Sequence, residues 1–158
     1  MFMIVVHAGH AAHAEVFYAK AGTARVIDAA TGLPVGGVNV EASWAITNFR
    51  HPDAPPVGEL THAAAETNAD GEFAFPAWGP ITVDLNSHLR SVVKVVDPSQ
   101  PWLSLSKPGY RSSVEKGPPD DPRPFWNRFR FSGEDWRDVW WKQRTFKLEP
   151  MPASDVKG

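Results

Sequence analysis

Fifteen prolines and twelve glycines divide this chain of 158 residues into short segments, and that punctuation limits its fold more than any other feature. Proline removes a backbone donor and glycine weakens helix interiors, so long helical stripes are interrupted before they form. Between the breaks, apolar and polar residues alternate with period two, the pattern of half-buried strands. Val38, Val40, Ala42, Trp44 and Ile46 point one way, and Asn39, Glu41, Ser43 and Ala45 the other. Strands are likewise expected at 23–28 and 61–67, through Phe73 and Phe75, in ITVDL and SVVKVV, around Leu103 and Leu105, and around Phe146 and Leu148. Asn68, Ala69, Asp70 and Gly71 form the turn of a hairpin, because Asp-Gly supplies the positive φ of a tight turn. Two proline-rich stretches, 51–58 and 115–124, are expected as long loops. Some seven short strands between such turns predict an all-β sandwich.

A composition of 42% hydrophobic and 22% charged residues is that of an ordinary globular chain. Sixteen basic against eighteen acidic side chains give a formal charge of -2, which carries no electrostatic footprint for nucleic acid. No apolar run approaches the roughly 20 residues of a membrane span. The absence of cysteine excludes disulfides, thiolate metal sites and a cysteine nucleophile. No cofactor motif is present, neither a P-loop nor a dinucleotide fingerprint.

Half of the six histidines, His7, His10 and His13, lie near the start at a spacing of three. A helix would fan them over about a third of its circumference, and a strand would turn His10 away from the other two. Neither geometry gathers three imidazoles about one metal. Ala12-His13-Ala14 before Glu15 instead fits a small-x-small cleavage pattern, and FMIVV supplies a short apolar region, although no Lys or Arg precedes it. Residues 1–21 are therefore expected as a signal-peptide remnant or flexible arm, 22–150 as the sandwich and 151–158 as a flexible tail. The corresponding address is periplasmic or secreted.

GTARVIDAATGLPVGGVNV, TNADGEF and KPGY resemble the carboxypeptidase regulatory-like domain. The matching residues include Val26, Asp28, Thr31, Gly32, Pro34, Val35, Gly37, Val38, Val40, Thr67, Asp70, Gly71, Phe73, Gly109 and Tyr110. The likeness covers about residues 22–114 and extends through the last strand to 149. FPAWGP, residues 75–80, adds a feature of small bacterial envelope proteins of this type. The resemblance implies a seven-stranded, immunoglobulin- or transthyretin-like Greek-key β-sandwich with two long loop insertions. It implies no activity, since the regulatory-like domain is the non-catalytic portion of the carboxypeptidases that carry it. Asp28, Gly32, Pro34, Asp70, Gly71, Gly109 and Tyr110 are turn-making residues on both grounds.

Other candidate sites compete with plain structural readings. Glu66, Asn68, Asp70 and Gly71 fit the start of a calcium loop, but Ala77 stands where a bidentate Glu is required. His51, His62 and His88 are possible general bases that also read as solvated surface histidines. The chain ends MPASDVKG, which departs from the Tyr-Arg-Gly-Ser terminus of transthyretin-related hydrolases. The segment 124–144 sets Trp126, Trp136, Trp140 and Trp141 among Arg128 and Arg130, a composition suited to stacking on sugars or peptides, or to capping one end of the sandwich. The main expectation is a non-enzymatic exported module with a structural or interaction role in the bacterial envelope, its partner an envelope protein or glycan. Alternatives are a carbohydrate- or peptidoglycan-binding module using 125–141, and a small hydrolase.

Overall fold

The computed structural model describes residues 14–48, 56, 58–84, 94–95, 101–117 and 139–152. Among them are ten strands and no helix. Strand β1 (Ala14–Ala19) runs through Lys20 and Ala21 into β2 (Gly22–Asp28). β5 (Glu72–Phe75) runs through Pro76 and Ala77 into β6 (Trp78–Asp84), and it lies in a different sheet from the strand before it, so the hairpin expected at 68–71 is instead a crossing between sheets. β1 pairs antiparallel with β6 in a two-stranded sheet, and β2 antiparallel with β5 in the first sheet of the core, the two ladders separated by residues 20–21 and 76–77. β10 (Thr145–Leu148) lies parallel to β2 on its other side, with Phe146 opposite Val26.

The second sheet has the order β4 (Gly58–Glu66), β3 (Asn39–Asn48), β8 (Trp102–Ser106) and β9 (Ser113–Glu115), with β7 (Lys94–Val95) paired to the far end of β3. Period-two alternation sends one side chain of each pair inward. Val26, Phe73, Phe75, Phe146 and Leu148 of the first sheet share a single core with Val40, Ala42, Trp44, Leu103 and Leu105 of the second. The arrangement is all-β and sandwich-like, as the alternations predict.

Differences from the sequence reading fall at the ends of elements. Residues 14–19, expected within an arm, form β1, and its Phe17 and Ala19 are buried while Val16 and Tyr18 face out. β4 begins at Gly58, inside the expected first loop, because its ladder with β3 extends to Ile46. β9 starts just before the second loop. β7 falls within the expected SVVKVV strand, so the strands not expected from the sequence are β1 and β9.

Two inter-sheet crossings run side by side. Thr67, the one buried polar residue among those described, donates its hydroxyl to Val35 O at 2.7 Å and accepts from Val38 N at 2.9 Å. Gly71, at φ 74°, accepts from Val26 N at 2.8 Å, and a Cβ there would run into the Val26 carbonyl oxygen. Gly32 has nearly the same φ, 72°, but open space around it. Gly71→Ala should therefore lose at least about 2 kcal/mol, from left-handed strain plus collision, while Gly32→Ala should lose only about 1 kcal/mol. Urea unfolding of the two variants checks the ranking, and equal losses would contradict it.

Candidate functional site

The signature residues from three separate segments meet in a set of bonded turns. Asp28 Oδ1 accepts from the Ala30 and Thr31 amides, each at 2.8 Å, and Gly32 N donates to Asp28 O at 2.8 Å. Pro34 forms an isolated bridge with Ile27 and so starts the crossing to β3. The Tyr110 hydroxyl donates to Asp28 Oδ2 at 3.0 Å across 82 residues. Lys107 places its ammonium on Gly36 O at 2.7 Å, and Tyr110 N closes the Lys107–Tyr110 turn at 3.1 Å, with Gly109 at φ 86°. Asp70 and Gly71 complete the turn between β4 and β5, where Asn68 Oδ1 accepts from Asp70 N and Glu72 N. That engagement of Asn68 belongs to a turn rather than to a cation loop. Among the described residues no group of three or more His, Cys, Asp or Glu is placed to hold a metal ion.

These contacts bias two protonation states. The Thr31 amide, with smaller help from the Tyr110 hydroxyl and Ala30 amide, holds the Asp28 carboxyl below its ordinary value against a desolvation effect that raises it. The same bond, desolvation and the nearby negative charge push the Tyr110 phenol above its ordinary value. A carboxyl lowered on folding stabilises above its unfolded pKa and loses that contribution as pH falls through its folded one. A phenol raised on folding contributes below its unfolded pKa, and that contribution fades as pH rises through the folded one. Tyr110→Phe should thus abolish the alkaline limb of the stability profile, above about pH 10, and only trim the acid limb, since Thr31 is the chief cause there. Urea midpoints measured from pH 2 to 11 check both limbs.

Of the aromatic segment, Trp126, Arg128, Arg130 and Trp136 lie outside the described residues. Trp141 is fully buried, stacked on Phe73 at 5.7 Å and edge-on to Phe75 at 5.4 Å, against Gly22. It is therefore a core residue and not part of a ligand surface. Trp140 is half-buried, donates Nε1 to Pro101 O at 2.9 Å, meets Phe146 edge-on and carries the Arg144 guanidinium 5.3 Å from its ring centre. Both described tryptophans thus act as the cap that the composition also allowed. Trp141→Ala should cost about 3–5 kcal/mol, the usual loss for a large buried aromatic, read as a fall in urea midpoint at unchanged m-value.

His7, His10, His13, His51 and His88 also lie outside the described residues. His62 does not: it is exposed on β4, with Nδ1 3.1 Å from Glu59 Oε1. The other oxygen of Glu59 accepts from Ser43 Oγ at 2.7 Å. The carboxylate stands between hydroxyl and imidazole, so His62 is not the acceptor of the Ser43 proton, as a serine–histidine relay requires.

This trio belongs to a larger feature that sequence reasoning missed. Ser43 lies opposite His62 on β4 and opposite Trp102 on β8, so all three occupy the outer face of the second sheet. Trp102 is half-buried, and Lys116 Nζ sits 4.3 Å from its ring centre. The neighbouring row holds the exposed Ala64, Glu41 and Val114 and the half-buried Ser104. The signal was legible, because Trp102 holds the polar phase of the alternation set by Leu103 and Leu105. A tryptophan out of phase on a wet face is the informative exception to apolar-inside patterning.

No family model matches the chain, and no curated protein matches it. Among solved structures it is similar to hydroxyquinol 1,2-dioxygenase from Pseudomonas putida DLL-E4, at 18% identity and a TM-score of 0.44, over 87% of this chain and 58% of that one. It is also similar to 3-chlorocatechol 1,2-dioxygenase from Rhodococcus opacus 1CP, at 15% identity and a TM-score of 0.44, over 83% and 59%. The chain thus spans less than two thirds of either protein. Both are named as dioxygenases, and the expectation of a non-enzymatic exported envelope module is withdrawn. At these values the likeness brings no activity, cofactor or residue role to this chain. Among the described residues no helix is long and apolar enough to cross a membrane.

Proposed function

We propose that the chain is a ligand-binding β-sandwich domain of the carboxypeptidase regulatory-like type, with its binding site on the outer face of β3, β4 and β8. The family reading is supported by bonds that join the three distant motifs: Tyr110 to Asp28, Lys107 to Gly36, and Thr67 and Gly71 to Val38 and Val26. In this reading β2, β3, β4, β5, β6, β8 and β10 form the seven-stranded Greek-key body, and β1, β7 and β9 are additions to it.

The single observation that carries the site is the placement of Trp102. A large aromatic on the solvated side of a sheet leaves apolar area in water, a cost that burial would avoid. Here the ring is half-buried, with Ser43 opposite it on β3, Ser104 two residues along β8, and the Lys116 ammonium over its face. Hydrogen-bonding groups stand beside it, fixed by Glu59 in one orientation. A half-buried aromatic face beside a few oriented polar groups on rigid strands supplies the apolar and polar contacts that a small ligand uses.

A fragment library of small polar molecules, screened by two-dimensional NMR on the isotope-labelled protein, tests this directly. Shift changes should cluster on Ser43, Glu59, His62 and the Trp102 indole. Fragments that map only elsewhere, or none that bind, would overturn the placement.

A further inference from the structure

We infer that the Asp70–Gly71 peptide is a self-modification site, converted to isoaspartate when the turn between β4 and β5 opens locally. Water is the sole co-reactant.

The chemistry starts from the residue pair. The Gly71 nitrogen attacks Asp70 Cγ, the carboxyl hydroxyl leaves as water, and the succinimide ring so formed takes water back at either of its carbonyls. Hydrolysis at one restores aspartate. Hydrolysis at the other routes the chain through the former side-chain carbon, with one methylene more in the backbone, and nothing is oxidised or reduced. Glycine favours the ring closure because it has no side chain to hinder the approach. The fold cannot dispense with that glycine: at φ 74°, a Cβ on Gly71 would run into Val26 O and crowd Val35 N.

The folded turn withholds the attacking nitrogen. Gly71 N donates to Asn68 O at 2.9 Å, and the carbonyl of the same peptide, Asp70 O, accepts from Arg25 Nε at 2.9 Å. On either side of it, Asp70 N and Glu72 N donate to Asn68 Oδ1 at 3.0 and 2.9 Å. The reacting peptide is thus held at both its N–H and its carbonyl. The residues that hold it, Asn68 and Arg25, are exposed, as is Asp70 itself. Hydrogen bonds at an exposed turn open without unfolding of the core. Ring closure is far slower than such opening, so its rate follows the fraction of molecules with the turn open. An isomerised chain carries its extra methylene beside the bond from Val26 N to Gly71 O, which weakens the crossing into β5.

The intact protein is incubated at neutral pH, native and in concentrated urea, and isoaspartate at position 70 is measured by fragmentation mass spectrometry, with Asp70→Glu as the blank. The native protein should isomerise at least about tenfold more slowly than the unfolded chain. Arg25→Ala, a surface change, frees the Asp70 carbonyl and should speed native isomerisation by about two- to fivefold. Asn68→Ala removes both Oδ1 bonds and should speed it by about five- to tenfold. Leu103→Ala loses stability from the core of the second sheet, away from the turn, and should change the native rate by less than about twofold. Equal native and unfolded rates, no isoaspartate in either, an Arg25→Ala variant no faster than the parent, or Leu103→Ala as fast as Asn68→Ala would each overturn the inference.

Discussion

Everything in this sandwich hangs on two chain crossings that lie side by side, and Thr67 is the side chain that joins them. Its hydroxyl bonds both Val35 and Val38, and its backbone pairs with Gly37 and Val38, so one residue fixes where the chain leaves β2 and where it enters β5. A buried hydroxyl without partners would be costly, and here both its donor and its acceptor are satisfied. Gly71 completes the arrangement by letting its backbone approach that of Val26 with no Cβ between them. Once these crossings are set, the two sheets face each other at a fixed separation. The apolar phase of each strand then has only one place to go.

The outer ring of turns has a different chemistry. Asp28 and Lys107 are charged, yet their work is to satisfy backbone groups: amides of the 29–31 turn for the carboxylate, and the Gly36 and Gly37 carbonyls for the ammonium. Hydrogen bonds to ionised groups are the stronger kind, and placing them here reinforces the backbone where the chain passes from one sheet to the other. Tyr110 ties the two together through Asp28. The motif residues are therefore a connected structural set, and the surface available for recognition lies elsewhere.

That separation explains which parts of the molecule were legible from sequence. Val38, Val40, Ala42 and Trp44, Phe73 and Phe75, and Leu103 and Leu105 were assigned inward from alternation alone, and all are buried. Local periodicity dictates the face of a strand, so such assignments need no tertiary information. Strand β1 escaped because a four-residue alternation beside a histidine-rich run is too short to stand out, and its pairing with β6, from Ala14 opposite Asp84 to Ala19 opposite Trp78, is far removed in sequence. Trp141 read equally well as surface or core. Only its neighbours Phe73, Phe75 and Gly22, all distant in the chain, decide for the core.

The order of turns and strands, and the positive-φ glycines that permit them, were determined by the sequence itself, because steric limits on φ and ψ act within a few residues. The partnership of Ser43, Glu59 and His62 with Trp102 and Lys116 was decided only by tertiary structure. Those residues come from three paired strands and the end of a fourth, and it is strand register, a property of non-local pairing, that brings them to one face.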